Sequence, residues 1–459
     1  MPAQVSSGLT AALISVLLAT FGAPIDGPWQ GSVLGIGQAL ADDDDGDDSD
    51  DDDDDSGSAP SDRTGPSAGN GGNPLTIFRR QAIRPQPRPA PQRQLPRHAP
   101  REIVALGLDE AAEDRLVAEG YEVRERVALA TEGGAGLVRL GIPRGVSLEA
   151  ARTRAAALAQ GAVVDLNHYY RPEQAGAEPC SEGLCLARDV VGWPPADTLV
   201  DRCTVGGRIG LIDTAINGDH LAFAGGQVET IRIGQGSLPA SGRQHGTAVA
   251  ALLVGSRESR TPGLLPGSEL IAVDAFHRGK GNDDRSAVYD LVRAIDILAS
   301  RGVKVINMSL TGPANPLLER TVRQANQRDI LMVAAAGNDG PSAAPLYPAA
   351  YDGAIAVTAI DRSKNAYRRA GSGAHIDIAA PGVRVWTAAS VKGGQPRTGT
   401  SFAAPFVSAA AAILKASNPA LTASEIEKIL QRNAEDLGAP GKDPVYGWGL
   451  LNGRAICQG

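Results

Sequence analysis

The stretch that decides the fold reads VYDLVRAIDILASRGVKVINMSL and covers residues 288–310. In its first half apolar residues recur every three or four positions, which predicts an amphipathic helix over Val288–Ser300. After the glycine, Val303–Ser309 is a short apolar run of the kind that forms a strand buried on both faces. A helix that leads directly into such a strand is half of a βαβ unit.

The same alternation continues on both sides of this stretch. Four more apolar runs predict strands, at Arg208–Ile212, Leu270–Asp274, Leu331–Ala335 and Ala354–Ile360. A second amphipathic helix is predicted over Leu317–Arg328. Strands that alternate with helices imply an α/β fold with a mostly parallel central sheet, which we assign to residues 206–459. In such sheets the chemistry gathers at the carboxyl ends of the strands.

A smaller α+β unit is predicted over residues 101–172. Its predicted elements are strands at Glu102–Leu108, Tyr121–Leu129, Gly136–Ile142 and Ala162–Tyr170, and helices at Asp109–Glu119 and Ser147–Gln160. The order βαββαβ is the ferredoxin-like arrangement. A unit of about 70 residues is marginally stable by itself, so the pattern fits either an independent binding module or a folding aid for the larger α/β unit.

The residues before this unit are predicted to be a leader and a disordered linker. Leu9–Phe21 is a short apolar run, and an A-x-A pattern ends at Ala41, so residues 1–41 are interpreted as a signal peptide. Neither Lys nor Arg precedes the run, which leaves an inert, uncleaved N-terminus as the alternative. Residues 42–100 are Asp-rich and then Pro/Arg-rich, and we interpret them as a solvated tether rather than a cation sponge.

Composition and missing motifs exclude several classes of function. The chain has 459 residues and a net charge of −8, and twelve aspartates between Asp42 and Asp55 account for the negative excess. Because no broad basic surface remains, nucleic acid is not an expected partner. Phe402–Leu414 is apolar but short, and Pro405 interrupts it, so we expect a buried helix and no membrane span. The zinc-peptidase, nucleotide-loop and hydrolase motifs HExxH, GxxxxGK[ST] and GxSxG are absent.

Four polar motifs lie where predicted strands end or predicted helices begin. Asp213 ends RIGLID, His245 opens a helix in QHGTAVA, Asn338 follows a strand in AAAGNDG, and Ser401 precedes a helix in GTSFAAP. Taken singly, each residue type is explained as a turn former or a helix cap. Gly246, directly after the histidine, is expected to leave one face of the helix open to a ligand. An acid, an imidazole and a hydroxyl in the order Asp-His-Ser are the parts of an activated nucleophile.

These motifs resemble those of the subtilases, the subtilisin-like serine peptidases of family S8. The matching strings are D-T-A-I, H-G-T-x-V-A, A-A-G-N-D-G and G-T-S-x-A-A-P, and the resemblance extends from about Arg208 to Gly453. It implies a subtilisin-like three-layer fold and a serine endopeptidase that acts on polypeptides. Ala215, Leu221 and Ser408 depart from the family pattern, which raises the question of local backbone geometry at these positions.

The resemblance also implies a role for each candidate catalytic residue. Ser401 would attack the peptide carbonyl, His245 would take the proton and return it, and Asp213 would orient the imidazole. Asn338 would bind the developing oxyanion together with the Ser401 N–H. The alternatives are a catalytically inactive protein of the same fold and an Asp-rich secreted calcium-binding protein. The aspartate run lacks the alternating ligand spacing of a calcium loop.

Substrate contacts are implied in the same way, residue by residue. The positions that match the extended substrate-binding strand and the wall of the specificity pocket are Ser309, Leu310, Thr311, Ala334, Ala335 and Ala336. Leu346 precedes Tyr347-Pro348 and is expected at the base of that pocket, so small or medium apolar side chains should be preferred there. The alternative is that Leu346 turns away from the pocket. No cofactor and no metal ligand is expected, and a structural calcium ion is left open without a ligand set.

The resemblance also implies a function for the small unit, because subtilases commonly carry a ferredoxin-like pro-domain. Residues 101–172 are therefore expected to be a pro-domain that acts as an intramolecular inhibitor. The chain is expected to be a secreted or periplasmic zymogen that cleaves itself between Pro172 and Cys203.

Four cysteines complete the prediction. An even number in an apparently exported chain predicts two disulfides with three connectivities, and the residues concerned are Cys180, Cys185, Cys203 and Cys457. We favour the pairs 180–185 and 203–457, which makes residues 173–205 a junction that carries the local pair. A metal site is the alternative use of the thiols, but no histidine lies near them in the sequence.

Overall fold

The computed structural model describes residues 95–172, 186–195, 206–234, 238–281 and 283–456. The predicted leader, nearly all of the predicted linker, most of the junction and all four cysteines lie outside these residues. The signal peptide, the disordered linker and the disulfide pairs therefore stay predictions.

The small unit folds in the predicted order. Its elements are β1 (His98–Leu106), α1 (Glu110–Ala118), β2 (Glu122–Leu129), β3 (Ala135–Gly141), α2 (Leu148–Leu158) and β4 (Val163–Pro172). The strands form an antiparallel sheet in the order β2-β3-β1-β4, which is the ferredoxin-like topology. Asp109 and Ser147 cap the two helices with their side chains. Strand β1 begins at His98, four residues before the predicted start, because His98 pairs with His168 of β4.

The large unit alternates strands and helices from residue 208 onward. Its strands are β5 (Arg208–Asp213), β6 (Gln227–Arg232), β7 (Glu269–Asp274), β8 (His277–Arg278), β9 (Asp284–Ala287), β10 (Val305–Met308), β11 (Leu310–Thr311), β12 (Leu331–Ala335), β13 (Ala354–Ile360), β14 (Ile378–Pro381), β15 (Val385–Ala388) and β16 (Gly394–Arg397). Helix α3 (Leu186–Val190) lies in the junction before this unit, and the unit's own helices are α4 (Gln244–Val254), α5 (Val288–Ser300), α6 (Pro316–Gln327), α7 (Ala404–Ser417) and α8 (Ala423–Asn433).

Seven of these strands form one sheet in the order β14-β13-β12-β10-β5-β7-β6, and every neighbouring pair is parallel. All five strands predicted for this domain are present. Strand β10 begins at Val305 rather than at Val303, because the Val303 N–H donates to Leu298 O at 3.2 Å and closes the end of α5.

Helices cover both faces of the parallel sheet, which confirms the predicted three-layer arrangement. On one face α5 and α6 bury Leu291, Ile295 and Leu318 in a common core. On the other face α4 and α7 bury Val249 and Phe406. Residues 400–417 are long and apolar enough to cross a bilayer by composition, but 78% of this segment is buried inside the molecule, as a core helix requires.

The small unit lies against α5 and α6 and extends its sheet into the large unit. Strand β4 pairs antiparallel with β9 and with β11, so the last strand of the small unit continues into strands of the large one. Polar contacts support this interface. Asp296 of α5 accepts from both the N–H and the hydroxyl of Thr131, each at 2.7 Å, and Arg320 of α6 pairs with the buried carboxylate of Glu132 at 2.8 Å.

Candidate active site

The four candidate catalytic side chains come from four separate elements. Asp213 is the last residue of β5, His245 lies in the first turn of α4, Asn338 follows β12, and Ser401 lies in the 3₁₀ turn 400–402 before α7. Strands β5 and β12 are parallel and close to each other in the sheet, so the residues at their carboxyl ends meet at one edge. All four side chains are buried, with exposed fractions of 2% or less.

Asp213 and His245 are joined directly. His245 Nδ1 lies 2.7 Å from Asp213 Oδ1, and both side chains are shielded from solvent. The same carboxylate oxygen accepts from the Thr214 N–H at 2.7 Å, which holds the carboxylate in place. An ionised Asp213 can only accept, so the proton of the neutral imidazole lies on Nδ1 and Nε2 is left as the acceptor. This is the tautomer that a general base for a hydroxyl requires.

Ser401 exchanges hydrogen bonds with Ser309. Ser401 Oγ donates to the carbonyl oxygen of Ser309 at 3.1 Å, and Ser309 Oγ donates to the carbonyl oxygen of Ser401 at 2.8 Å. In the described part of the chain, His245 Nε2 has no hydrogen-bond partner. The ring of Phe402, the residue after Ser401, lies 5.7 Å from the imidazole ring, which places the serine turn beside the histidine. The structure thus brings Ser401 to His245 without forming their hydrogen bond.

Two residues that the sequence did not single out as partners support this turn. Asn307 Nδ2 donates to Ser309 Oγ at 2.9 Å, and Ser408 Oγ donates to Asn307 Oδ1 at 2.9 Å. All the side chains in this chain of hydrogen bonds are buried. Ser408, which departs from the family pattern, therefore has a definite use: it satisfies a buried amide oxygen beneath the nucleophile. The sequence signals for Ser408 were its departure from the family pattern and its position inside an apolar stretch of the helix.

Asn338 is held by the residue that precedes Ser401. Its side-chain oxygen accepts from the Thr400 N–H at 3.1 Å and from Thr400 Oγ1 at 3.3 Å. Thr400 Oγ1 in turn accepts from the Gly337 N–H at 3.1 Å. Because the oxygen end of the carboxamide is fixed, the direction of its Nδ2 donors is fixed as well.

The expectation for Gly246 was wrong. A side chain here would approach backbone rather than a ligand, since a Cβ would lie 2.2 Å from Thr214 O and 2.8 Å from Ala215 O. The Gly246 N–H also donates to Thr214 Oγ1 at 2.9 Å. The glycine therefore lets the start of α4 approach the chain after Asp213 closely, and this approach brings the imidazole to the carboxylate.

Ala215 and Leu221 are accommodated without backbone strain. Neither residue has a positive φ, so neither position needs glycine. The Ala215 N–H donates to Ser241 Oγ at 2.9 Å, and Ser241 Oγ donates to Asp274 Oδ1 at 2.9 Å.

Burial raises the pKa of Asp274 to about 6, against the hydrogen bonds from Ser241 and the Phe276 N–H that lower it.

The predicted substrate-binding strand is already paired. In β11, Leu310 lies opposite Pro172 and Thr311 lies opposite Arg171, in antiparallel register with the last strand of the small unit. From Arg171 to Pro172 of β4, the residue opposite changes from Thr311 to Leu310, so the pairing runs toward Ser309. The carbonyl of Ser309 accepts from Ser401 Oγ. A strand of this chain therefore lies where an extended substrate was expected.

The predicted pocket wall is buried, and Leu346 lies near it. Ala334 and Ala335 end β12 and Ala336 follows them, all fully buried. A Cβ built on the neighbouring Gly337 would lie 2.5 Å from Leu346 Cδ1 and 3.5 Å from Thr311 Cγ2. The structure thus brings Leu346 to the end of the wall and to Thr311.

Among the residues that the structure covers, no group of three or more His, Cys, Asp or Glu side chains could hold a metal ion. The candidate site is built from an acid, an imidazole, hydroxyls and an amide.

The large unit is similar to known proteins. Residues 206–449 match the model of the peptidase S8 subtilase family. Subtilisin DY of Bacillus licheniformis is 34% identical over 258 residues, which cover 55% of this chain and 90% of that protein. Subtilisin BL of Lederbergia lenta is 36% identical over 219 residues, or 47% of this chain and 78% of that protein.

Among solved structures, fervidolysin from Fervidobacterium pennivorans, a keratinolytic enzyme related to subtilisin, aligns with a TM-score of 0.67. The alignment covers 79% of this chain and 61% of that one, at 21% identity, and it shows likeness of fold.

Proposed function

Because the chain belongs to the subtilase family and is a serine endopeptidase, we propose that it hydrolyses peptide bonds through Asp213, His245 and Ser401. The observation that carries the proposal is the 2.7 Å contact between His245 Nδ1 and Asp213 Oδ1, with the Ser401 turn beside the imidazole. A buried carboxylate and imidazole in this relation have no evident structural use that a well-packed apolar pair would not serve better.

In the proposed reaction, the Ser401 hydroxyl leaves Ser309 O and turns to His245 Nε2 as Oγ approaches the scissile carbonyl carbon. His245 takes the proton as Oγ attacks the carbonyl carbon, and Asp213 stabilises the imidazolium that forms. The same Nε2 then gives the proton to the leaving amine, so the leaving group departs on the His245 side of the site. A water molecule then gives a proton to His245 and attacks the acyl group on Ser401. The proton returns to Ser401 Oγ as the acyl half of the substrate is released.

Asn338 and the Ser401 N–H are proposed to bind the oxyanion. Thr400 holds the oxygen end of the Asn338 carboxamide, so its Nδ2 donors are oriented before the substrate arrives. Donors that are already oriented cost no reorganisation during the reaction, which is why they stabilise the transition state more than the ground state.

We further propose that the chain is made as a zymogen and that residues 101–172 are its inhibitory pro-domain. Three observations support this. Strand β4 pairs with β11 in the place expected for substrate, the candidate triad is buried, and Tyr170 is anchored by a bond from its hydroxyl to Pro313 O at 2.8 Å. Because the register of β4 advances toward Ser309, we place the self-cleavage just beyond Pro172. Export from the cytoplasm, proposed from the leader-like residues 1–41, fits this picture.

One experiment tests activity and processing together. The chain from Ala41 onward should yield two fragments, with a new N-terminus shortly after Pro172, and the Ser401→Ala chain should remain a single band. If the Ser401→Ala chain is cut as efficiently as the wild type, another protease does the processing. If neither chain is cut and neither hydrolyses casein, the inactive-protein alternative is the better account.

A further inference from the structure

Arg397 is a buried cation that has no acidic partner in the described residues. Its exposed fraction is 3%, and the only side chain that bonds it there is Gln244. With the amide oxygen of Gln244 facing the guanidinium, that oxygen accepts from Nη1 at 3.0 Å and from Nη2 at 2.7 Å. Arg397 Nε is buried and has no hydrogen-bond acceptor among the described residues. A guanidinium has five donors, so one amide oxygen leaves most of its hydrogen-bonding capacity unused.

Burial of the Arg397 charge without a carboxylate lowers the stability of the fold unless another interaction offsets it. Burying a charge without a counter-charge is unfavourable, and buried arginines in proteins are ordinarily paired with carboxylates. Burial lowers the pKa of Arg397, and no nearby carboxylate opposes that effect. The group nevertheless stays charged, since an arginine is not deprotonated in proteins.

Arg397 lies near the part of the active site that would receive the leaving half of the substrate. Arg397 ends β16 four residues before Ser401, and Gln244 directly precedes His245. The β15–β16 hairpin also contacts the elements of the acid and the imidazole. Thr387 Oγ1 donates to Ala248 O of α4 at 2.6 Å, and Asn217 Nδ2, in the loop after Asp213, donates to Ser390 O at 2.9 Å.

In the proposed binding mode, the part of the substrate before the scissile bond lies along β11 and not beside the β15–β16 hairpin. Strand β4 occupies that place by pairing with Leu310 and Thr311, and Ser309 joins it to the nucleophile. A substrate that follows β4 past Ser401 next reaches His245, because His245 must protonate the leaving amine. Gln244 and Arg397 lie beside this path, because Gln244 directly precedes His245 and its amide oxygen accepts from the guanidinium. Gln244 is exposed, so displacing its side chain opens a path to the guanidinium.

We propose that Arg397 recognises a carboxylate carried by the first residues after the scissile bond. The inference rests on the proposed triad. A carboxylate is the partner that the fork of a guanidinium matches with two parallel bonds, and it would replace the single amide oxygen of Gln244. Two sources carry this group: a Glu or Asp side chain in the first or second residue after the bond, and the free C-terminus of a short leaving peptide.

The test uses self-processed enzyme and peptides that share one acyl half. The first or second residue after the cut is Glu, Gln or Lys, and a separate pair differs only in a free or amidated C-terminus. For the wild type we expect kcat/KM to be about tenfold or more higher for Glu than for Gln, as a charge-assisted hydrogen bond in a buried site provides. A preference confined to the free C-terminus assigns the site to the terminal carboxylate instead of a side chain, and it supports the proposal equally.

The variants separate recognition from mere positioning of His245. In Arg397→Gln the Glu-to-Gln ratio should fall to about one while hydrolysis of the Gln peptide changes little, and Arg397→Glu should favour Lys. Gln244→Ala should raise the Glu-to-Gln ratio, and Arg362→Gln, which removes an exposed charge elsewhere, should leave it unchanged.

Two results would overturn the inference. One is a wild type without preference for a carboxylate in any peptide pair, which decides the question even if the Arg397 variants fail to fold. The other is an Arg397→Gln variant that loses activity equally on all peptides, as a residue that only positions His245 would. Hydrolysis of the neutral Gln peptide by wild type, and its loss in Ser401→Ala, tests the triad separately.

Discussion

Ser401 and Ser309 lie 92 residues apart in the sequence and exchange two hydrogen bonds, each hydroxyl donating to the other residue's carbonyl oxygen. This exchange ties the nucleophile turn to the strand on which substrate is expected to lie. In the structure the Ser401 hydroxyl points to Ser309 O and does not bond His245 Nε2. Attack on a peptide bond therefore requires the Ser401 hydroxyl to exchange Ser309 O for His245 Nε2 as its acceptor.

The first prediction concerns the buried chain of hydrogen bonds beneath this pair. Ser408→Ala removes the hydroxyl that satisfies Asn307 Oδ1, so the free energy of unfolding should fall by about 1–3 kcal/mol, the usual cost of an unsatisfied buried polar group. Ser372→Ala is the matched control, because the Ser372 hydroxyl bonds Pro341 O at an exposed position. Denaturant unfolding in the Ser401→Ala background measures both. Equal effects of the two substitutions would show that the buried chain adds nothing.

The second prediction concerns the oxyanion donor. Asn338→Ala should lower kcat by about 10²–10³-fold with little change in KM, the magnitude that losing one such donor costs in subtilisin. Steady-state kinetics on a neutral peptide substrate checks this. Thr400→Val should cause a smaller loss, because it removes only one of the two bonds that Thr400 donates to Asn338 Oδ1. An Asn338→Ala enzyme with wild-type kcat would remove Asn338 from the mechanism.

The third prediction concerns the residue that precedes the scissile bond. Leu346 contacts Gly337 at the end of the apolar wall, so we expect a preference for Ala, Val or Leu, with each methylene changing the preference by about 1–3 kcal/mol. Leu346→Gly should shift the preference toward Phe and Tyr in a peptide library. Strong selection for Phe or Arg by the wild type would refute the pocket assignment and leave the triad untouched.

The fourth prediction concerns pH. Burial and the neighbouring Arg285 lower the pKa of His277 to about 4, below the ordinary value near 6.5. A base whose pKa is lowered by folding stabilises the fold above pH 6.5 and loses that contribution as the pH falls toward 4. Between pH 7 and pH 4.5 this group should therefore cost about 2 kcal/mol of stability.

His277→Gln should flatten that loss, since glutamine keeps an acceptor for the bond from Arg285 Nε and does not titrate. Unfolding of the uncut Ser401→Ala chain at the two pH values, with and without the substitution, gives the difference. If both chains lose the same stability on acidification, His277 is not buried in its neutral form.

Most of the elements that bury apolar residues were predicted from the sequence, but β14 and α8 were missed, as were the elements with little apolar content. Strands β5, β7, β10, β12 and β13 are continuous apolar runs because helices cover both their faces. Strand β6 reads QVETIR and was missed, since it lies at the edge of the sheet and exposes most of its side chains. The β15–β16 hairpin was missed as well, because its short, mixed strands carry no clear period.

The candidate site was predictable as a set of residue types and not as a network. Asp213, His245, Asn338 and Ser401 stand in short motifs, so they could be singled out from the sequence. Asn307 and Ser408 lie 101 residues apart, and nothing in either local sequence indicates that their side chains meet. Arg397 was not singled out from the sequence, and its burial next to Gln244 results from tertiary packing.

The most direct test of the proposed mechanism measures which serine a covalent probe labels and whether that labelling requires His245. A fluorophosphonate probe should modify the processed enzyme once, on the peptide that contains Ser401. His245→Ala, cut beyond Pro172 by an added protease, should keep its fold and should not react. Labelling at another serine, or labelling of Ser401 at an unchanged rate in His245→Ala, would contradict the claim that His245 activates Ser401.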